Sequence, residues 1–136
     1  ASAATHPFSE NELLELLTVS RKNNYGRNVT GMLLYSEGSF FQVLEGEEQT
    51  LEKLFKTICA DKRHTKVTQI IKEPIHQRVF DEWSMAFSGA SSAQLQRIDG
   101  LNDFFSAGSC LADIDSGRAK KLLKAFSQGR WRQTLR

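Results

Sequence analysis

Two side-chain amides stand where the surrounding pattern asks for apolar groups. An amide suits the edge of a heterocycle that alternates carbonyl and N–H groups. Leu13, Leu17, Ser20 and Asn24 follow the i, i+4, i+7 rhythm of one helical stripe, so Ser20 and Asn24 enter a face expected to be buried. A buried amide without partners costs about 1–3 kcal/mol, so Asn24 needs a designated donor and acceptor. Two readings stay open: an asparagine ending its helix and tied to nearby backbone, or a group held for a ligand. Gln42 shares a strand face with Phe40 and Leu44, while Phe41 and Val43 occupy the other face. Its amide either bonds backbone or buried water, or meets a ring.

Other groups have less specific chemistry. Asp61-Lys62-Arg63-His64 follows a helical segment, where Arg63 and His64 either complement terminal carbonyls or meet an anionic ligand. Trp83 and Met85 alternate on a strand and read as core, or as a movable pair beside a cofactor. No metal site is expected, because His64 lacks a ligand partner at i+3 or i+4 and His6 and His76 fall in loops. No histidine stands in a nucleophile motif such as G-x-S-x-G, so no enzymatic turnover is expected.

The elements that must position these residues follow from local signals. Ser9 and Glu12 form a capping box, and Phe8 can staple onto Leu13, so a helix is predicted over residues 10–24, ended by Gly26 in the left-handed region. Residues 29–35 and 39–44 read as a hairpin turning at Glu37 and Gly38. Leu51, Leu54, Phe55 and Ile58 define a second amphipathic helix ending near Ala60. Strands are predicted at residues 67–72 and around Trp83–Phe87. The segment 1–8 is short, rich in Ala and Ser, and interrupted by Pro7, so it is not expected to form a strand; the chain reads as beginning after a missing first strand. Residues 1–88 are thus expected as a core and 89–136 as a helical cap, too poor in apolar residues to fold alone, that docks on the uncovered sheet face.

Composition bounds the rest. The 136 residues suit one domain, and 40% hydrophobic with 25% charged residues argues against disorder. No apolar run reaches the roughly 20 residues of a membrane helix, and Cys59 and Cys110 form no C-x-x-C, so a reducing cytoplasmic setting is expected. The net charge of +2 conceals a basic end, Arg118 to Arg136, that is either a solvated helix face or a surface for an acidic partner.

Taken in order, Ser20-x-x-Asn23-Asn24, Val29-Thr30-Gly31-Met32-Leu33-Leu34-Tyr35, Phe40-Phe41-Gln42-Val43-Leu44-Glu45-Gly46, Asp61-x-Arg63-His64 and Trp83-Ser84-Met85 closely resemble BLUF domains, with the match spanning about residues 5–87. The resemblance implies an α+β, ferredoxin-like βαββαββ sheet with two helices on one face, FAD between them, and blue-light sensing as the function. It implies that Asn24 bonds a flavin carbonyl and ring N–H, and that Gln42 reaches N5 and the neighbouring carbonyl. Asn23, Arg63 and His64 would line the ring edge, Ser20 the same pocket, and Trp83 and Met85 would relay changes at Gln42 to the last strand and the cap. The family's photochemistry uses a first-strand tyrosine as donor to the excited flavin, after which the glutamine amide rearranges. Alignment places that tyrosine immediately before Ala1, and neither Tyr25 nor Tyr35 matches it. The implied partners are the flavin and either a downstream signalling protein or further copies of the chain.

Two other functional classes would use some of the same residues. An RNA-binding module would use Phe40 and Phe41 as exposed stacking groups, although Glu37, Glu45, Glu47 and Glu48 surround them with negative charge. A small hydrolase would use Arg63 and Asn24 as anion-binding groups but lacks an activated nucleophile.

Overall fold

The computed structural model describes residues 1–80, 85–89, 92–95, 97–98, 111–128 and 132–133. Six strands form one sheet: β1 Ser2–Ala4, β2 Thr30–Ser36, β3 Ser39–Glu45, β4 His64–Thr65, β5 Ala86–Gly89 and β6 Arg132–Gln133, in spatial order β4-β1-β3-β2-β5-β6. The helices among the described residues are α1 Glu10–Gly26, α2 Glu48–Ala60, α3 Ser92–Leu95 and α4 Ser116–Ser127, with a 3-10 turn at Leu111–Asp113. β1 is antiparallel to both β3 and β4, and β2 to β3, so β1 runs parallel to β2 and β3 to β4. Each parallel pair is joined through one helix, and the right-handed crossover places α1 and α2 on the same face. This is the α+β, ferredoxin-like arrangement implied above, with β5 added parallel to β2.

The first strand is present, contrary to the reading of residues 1–8. Ser2 pairs with Phe40 and Ala3 with Ser39 on one side; Ala3 pairs with Thr65 and Ala4 with His64 on the other. Weak strand propensity is overridden because neighbours on both sides satisfy the backbone. Pro7 lies beyond the last paired residue, so its missing N–H costs the ladder nothing.

The strand expected at 67–72 is displaced to His64–Thr65. Lys66 has φ +54, and beyond it Thr68 and Ala1 exchange N–H to O bonds of 2.8 and 2.9 Å, one residue out of the earlier register. The pairing therefore resumes for one residue past a bulge. Ile70 and Ile71 lie half-buried against the core between sheet and cap, so their apolar character serves packing and not a ladder.

The capping box is formed: Ser9 Oγ accepts the Glu12 N–H at 3.2 Å, and Glu12 Oε1 accepts the Ser9 N–H at 3.2 Å. Phe8 and Leu13 share one core cluster, as the staple requires. The left-handed residue after α1 is Asn28, φ +56, not Gly26; the helix runs to Gly26, and the Arg27 and Val29 N–H groups both close onto the Asn24 carbonyl.

Each sheet face has its own core. Leu33, Phe40, Met85 and Phe87 meet Phe8, Leu13 and Leu17 on the α1 face. Met32, Leu34 and Phe41 meet Leu95, Ile98, Leu111, Ile114, Ala119 and Leu122 on the other. The C-terminal segment is not purely helical, because β6 pairs antiparallel with β5 and β5 itself runs to Gly89. Among the described residues no helix is long and apolar enough to cross a membrane.

Candidate functional site

Both amides sit on the α1 side of the sheet. Asn24 lies in the last turn of α1 and is 2% exposed, on the same stripe as Leu13 and Leu17, with Ser20 half-buried one turn earlier. Asn23, its neighbour, is exposed. Gln42 pairs across the ladder with Leu33, which in turn pairs with Phe87, so it belongs to the face that α1 covers. It is half-buried, and among the described residues no group hydrogen-bonds its side-chain amide. A glutamine on a core-lined face with its amide uncommitted is suited to bind something other than protein.

A second feature supports that reading. Among the described residues the stripe Leu51, Leu54, Phe55 and Ile58 of α2 joins neither core cluster, and of the four only Leu54 is buried. An amphipathic helix ordinarily spends such a stripe on the core. Half-covered apolar surface on α2, a buried asparagine on α1 and, on β3, a glutamine whose amide no described group bonds supply an apolar wall and two amides, the chemistry that a planar ring with a polar edge calls for. The chemistry of these residues therefore fits a flavin.

His64 and Arg63 are engaged by protein groups. The Ile58 carbonyl can only accept, so His64 Nε2 carries the hydrogen and donates to it at 2.5 Å, while Nδ1 meets Ser2 Oγ at 2.8 Å. His64 thus closes the end of α2 and ties it to the central strand. Arg63 is forked onto Asp61, Nη2 to Oδ2 at 2.6 Å and Nε to Oδ1 at 3.0 Å, with the Arg63 side chain 47% exposed. Hydrogen bonds from the Arg63 guanidinium hold the Asp61 carboxyl at about 2, below its usual range, although partial burial opposes the shift. A depressed folded value means the stabilisation is present above the ordinary carboxylate range and is lost as pH falls through about 2. Because the pair is partly solvated, its contribution is below about 1 kcal/mol. Urea unfolding should show Arg63→Gln slightly less stable than the parent at neutral pH, the gap closing between about pH 4 and 2; a gap that persists at the acid end would remove the ion pair as its cause.

Met85 is buried in the α1-side core, 2% exposed. Trp83, expected beside it, lies outside the described residues. Tyr25 is 84% exposed, and the Tyr35 hydroxyl accepts the Phe8 N–H at 3.0 Å. Phe40 and Phe41 are 7% and 5% exposed, which removes the stacking surface that RNA binding would need. An open cleft of about 480 Å³ lies elsewhere, lined by Ala4, Thr5, His6, Pro7, Tyr35, Glu37 and Gly38, and includes none of the expected cofactor residues.

Two polar residues escaped the sequence reading. Arg21 Nε donates to the Met85 carbonyl at 2.9 Å, and the buried Glu45 carboxylate accepts the Val79 and Phe80 N–H groups at 2.7 and 2.9 Å. Glu45 is legible in the sequence as local negative charge and as part of the Phe40–Gly46 motif; its place at the buried end of a hairpin strand is the signal for a structural role.

Comparison with known proteins agrees with this geometry. The family model described as BLUF, sensors of blue-light using FAD, matches residues 1–86. The photoactivated adenylate cyclase subunit beta of Euglena gracilis is 33% identical over 106 residues, 77% of this chain but 12% of that protein. The blue light- and temperature-regulated antirepressor BluF of Escherichia coli K12 is 31% identical over 71 residues, 52% of this chain and 18% of that protein. The chain therefore spans only a small part of the length of these relatives. Among solved structures, BlrB, a BLUF protein in its dark state, superposes with a TM-score of 0.75 at 26% identity, covering 94% of this chain and 91% of that one. BlsA in its ground state gives 0.82 at 23% identity, covering 98% and 87%, a likeness of fold.

Proposed function

Because this chain belongs to the BLUF family of blue-light sensors using FAD, we propose that its light response runs through Gln42 and is passed to β5 and the C-terminal helices. The single observation that carries this is the Gln42 amide, half-buried on the α1 face and free of protein partners among the described residues.

In this reading FAD supplies the blue-light absorption and a ring edge of alternating carbonyl and N–H groups. Asn24 holds that edge from α1, where burial excludes water and strengthens its bonds. Ser20 and Asn23 line the same side, and the α2 stripe supplies an apolar wall. Arg63 and His64 stand at the α2 end; His64 keeps the helix terminus in place, and Arg63, held by Asp61, presents charge at the rim. Under blue light the Gln42 amide changes which of its ends donates and which accepts. Trp83 and Met85 respond, and the change travels along β5 to the cap packed on the opposite face. The chain turns over no substrate in this role and acts through a second molecule, either a signalling protein or another copy of itself.

The test is an absorption spectrum of the purified protein before and after blue light. A flavin spectrum that shifts to longer wavelength and relaxes in the dark is expected. Colourless protein releasing no flavin on denaturation would sink the reading.

A further inference from the structure

The backbone that leads into β5 is gripped by charged side chains from two elements. From α1, Arg21 Nε donates to the Met85 carbonyl at 2.9 Å across the sheet face. From the end of β3, the Glu45 carboxylate, 5% exposed, accepts the N–H groups of Val79 at 2.7 Å and Phe80 at 2.9 Å. Thr30 Oγ1 donates to the same carboxylate at 3.1 Å, and Arg78 Nη1 donates both to Thr30 Oγ1 at 3.1 Å and to the Glu45 carbonyl at 3.4 Å. The segment held by Glu45 ends in Phe80, wholly buried in the core between sheet and cap.

The two gripping residues ride on the elements that carry the two amides. Arg21 is on α1 with Asn24, and Glu45 is on β3 with Gln42. Charged groups bonded to backbone are stronger than neutral pairs and fix the position of the chain regardless of its side chains. A small displacement of either element is thereby handed directly to the backbone on both sides of residues 81–84. We propose that Arg21 and Glu45 are positioning residues of the light response, holding the entry to β5 in its dark register. This rests on the functional reading above, and neither residue touches the ring in that reading.

The test measures dark recovery after a blue pulse in Arg21→Gln, Arg21→Lys and Glu45→Gln beside the parent. Each variant should bind flavin and show the parent's red shift. Loss of a bond that favours the dark register should slow the return about fivefold or more in Arg21→Gln and Glu45→Gln, with Arg21→Lys recovering much of the parent's rate. A role confined to stability would lower the melting temperature and leave recovery alone. Arg21→Gln recovering within about twofold of the parent overturns the proposal, whatever its melting temperature. Arg21 is half-buried, so that variant decides the matter even where Glu45→Gln fails to fold. A parent that shows no red shift sinks the functional reading and this proposal together; a shifting parent with an unchanged Arg21→Gln sinks this proposal alone.

Discussion

Gln42→Leu should keep its flavin and lose its colour change, the light-induced red shift falling below about one-tenth of the parent's. Leucine fills nearly the same space as glutamine but has neither donor nor acceptor, so the substitution removes hydrogen bonding with little change in packing. The partner set of Gln42 makes the experiment clean. No described protein group depends on its amide, so among the described residues no buried donor or acceptor is orphaned, and stability should stay within about 1 kcal/mol of the parent. Asn24 and the apolar wall of α2 remain to hold the cofactor. A light-minus-dark difference spectrum reads the result, with flavin content measured after denaturation. An undiminished shift would take Gln42 out of the mechanism.

The second large effect is expected at Gly31, on β2 opposite Leu44. A Cβ placed there would lie 2.0 Å from the Val43 carbonyl oxygen and 3.1 Å from its carbon. Both are backbone atoms of the paired strand, so no side chain can swing aside, and the hairpin itself must open. Gly31→Ala should cost about 2–3 kcal/mol, near the upper end for overpacking. For a domain of this size that lowers the melting temperature by roughly 10 °C. Because β3 must move by a distance comparable to the overlap, Gln42 moves with it, and flavin occupancy should fall as well. Thermal unfolding followed by circular dichroism, with flavin absorbance alongside, tests both. A melting temperature within about 2 °C of the parent would show that the hairpin has slack at this point.

Much of the fold was legible because its signals are local. The capping box at Ser9 and Glu12, the stripe of α1, the hairpin turn at Glu37 and Gly38 and the stripe of α2 each depend on residues within one or two turns of one another. The resemblance carried by the Gly31 and Gln42 strands extended this to the family, the fold and the cofactor. Elements that rest on distant partners were read less well. β1 has three residues of poor propensity and exists because β3 and β4 flank it. β4 was expected several residues too late, because the branched residues Ile70 and Ile71 pack on the core between sheet and cap while His64 and Thr65 make the ladder.

The order of residues is enough to say where the amides fall in the helical and strand periods, and hence which face each one must take. Which polar groups are already occupied became visible once the chain was folded: His64 by the end of α2 and Ser2, Arg63 by Asp61, Arg21 and Glu45 by the backbone entering β5, while Gln42 stays uncommitted among the described residues. The reason is physical. Periodicity follows from the geometry of a single element, whereas the partner of a polar side chain is set by whichever group folding brings within hydrogen-bonding distance, often from a residue far away in the chain.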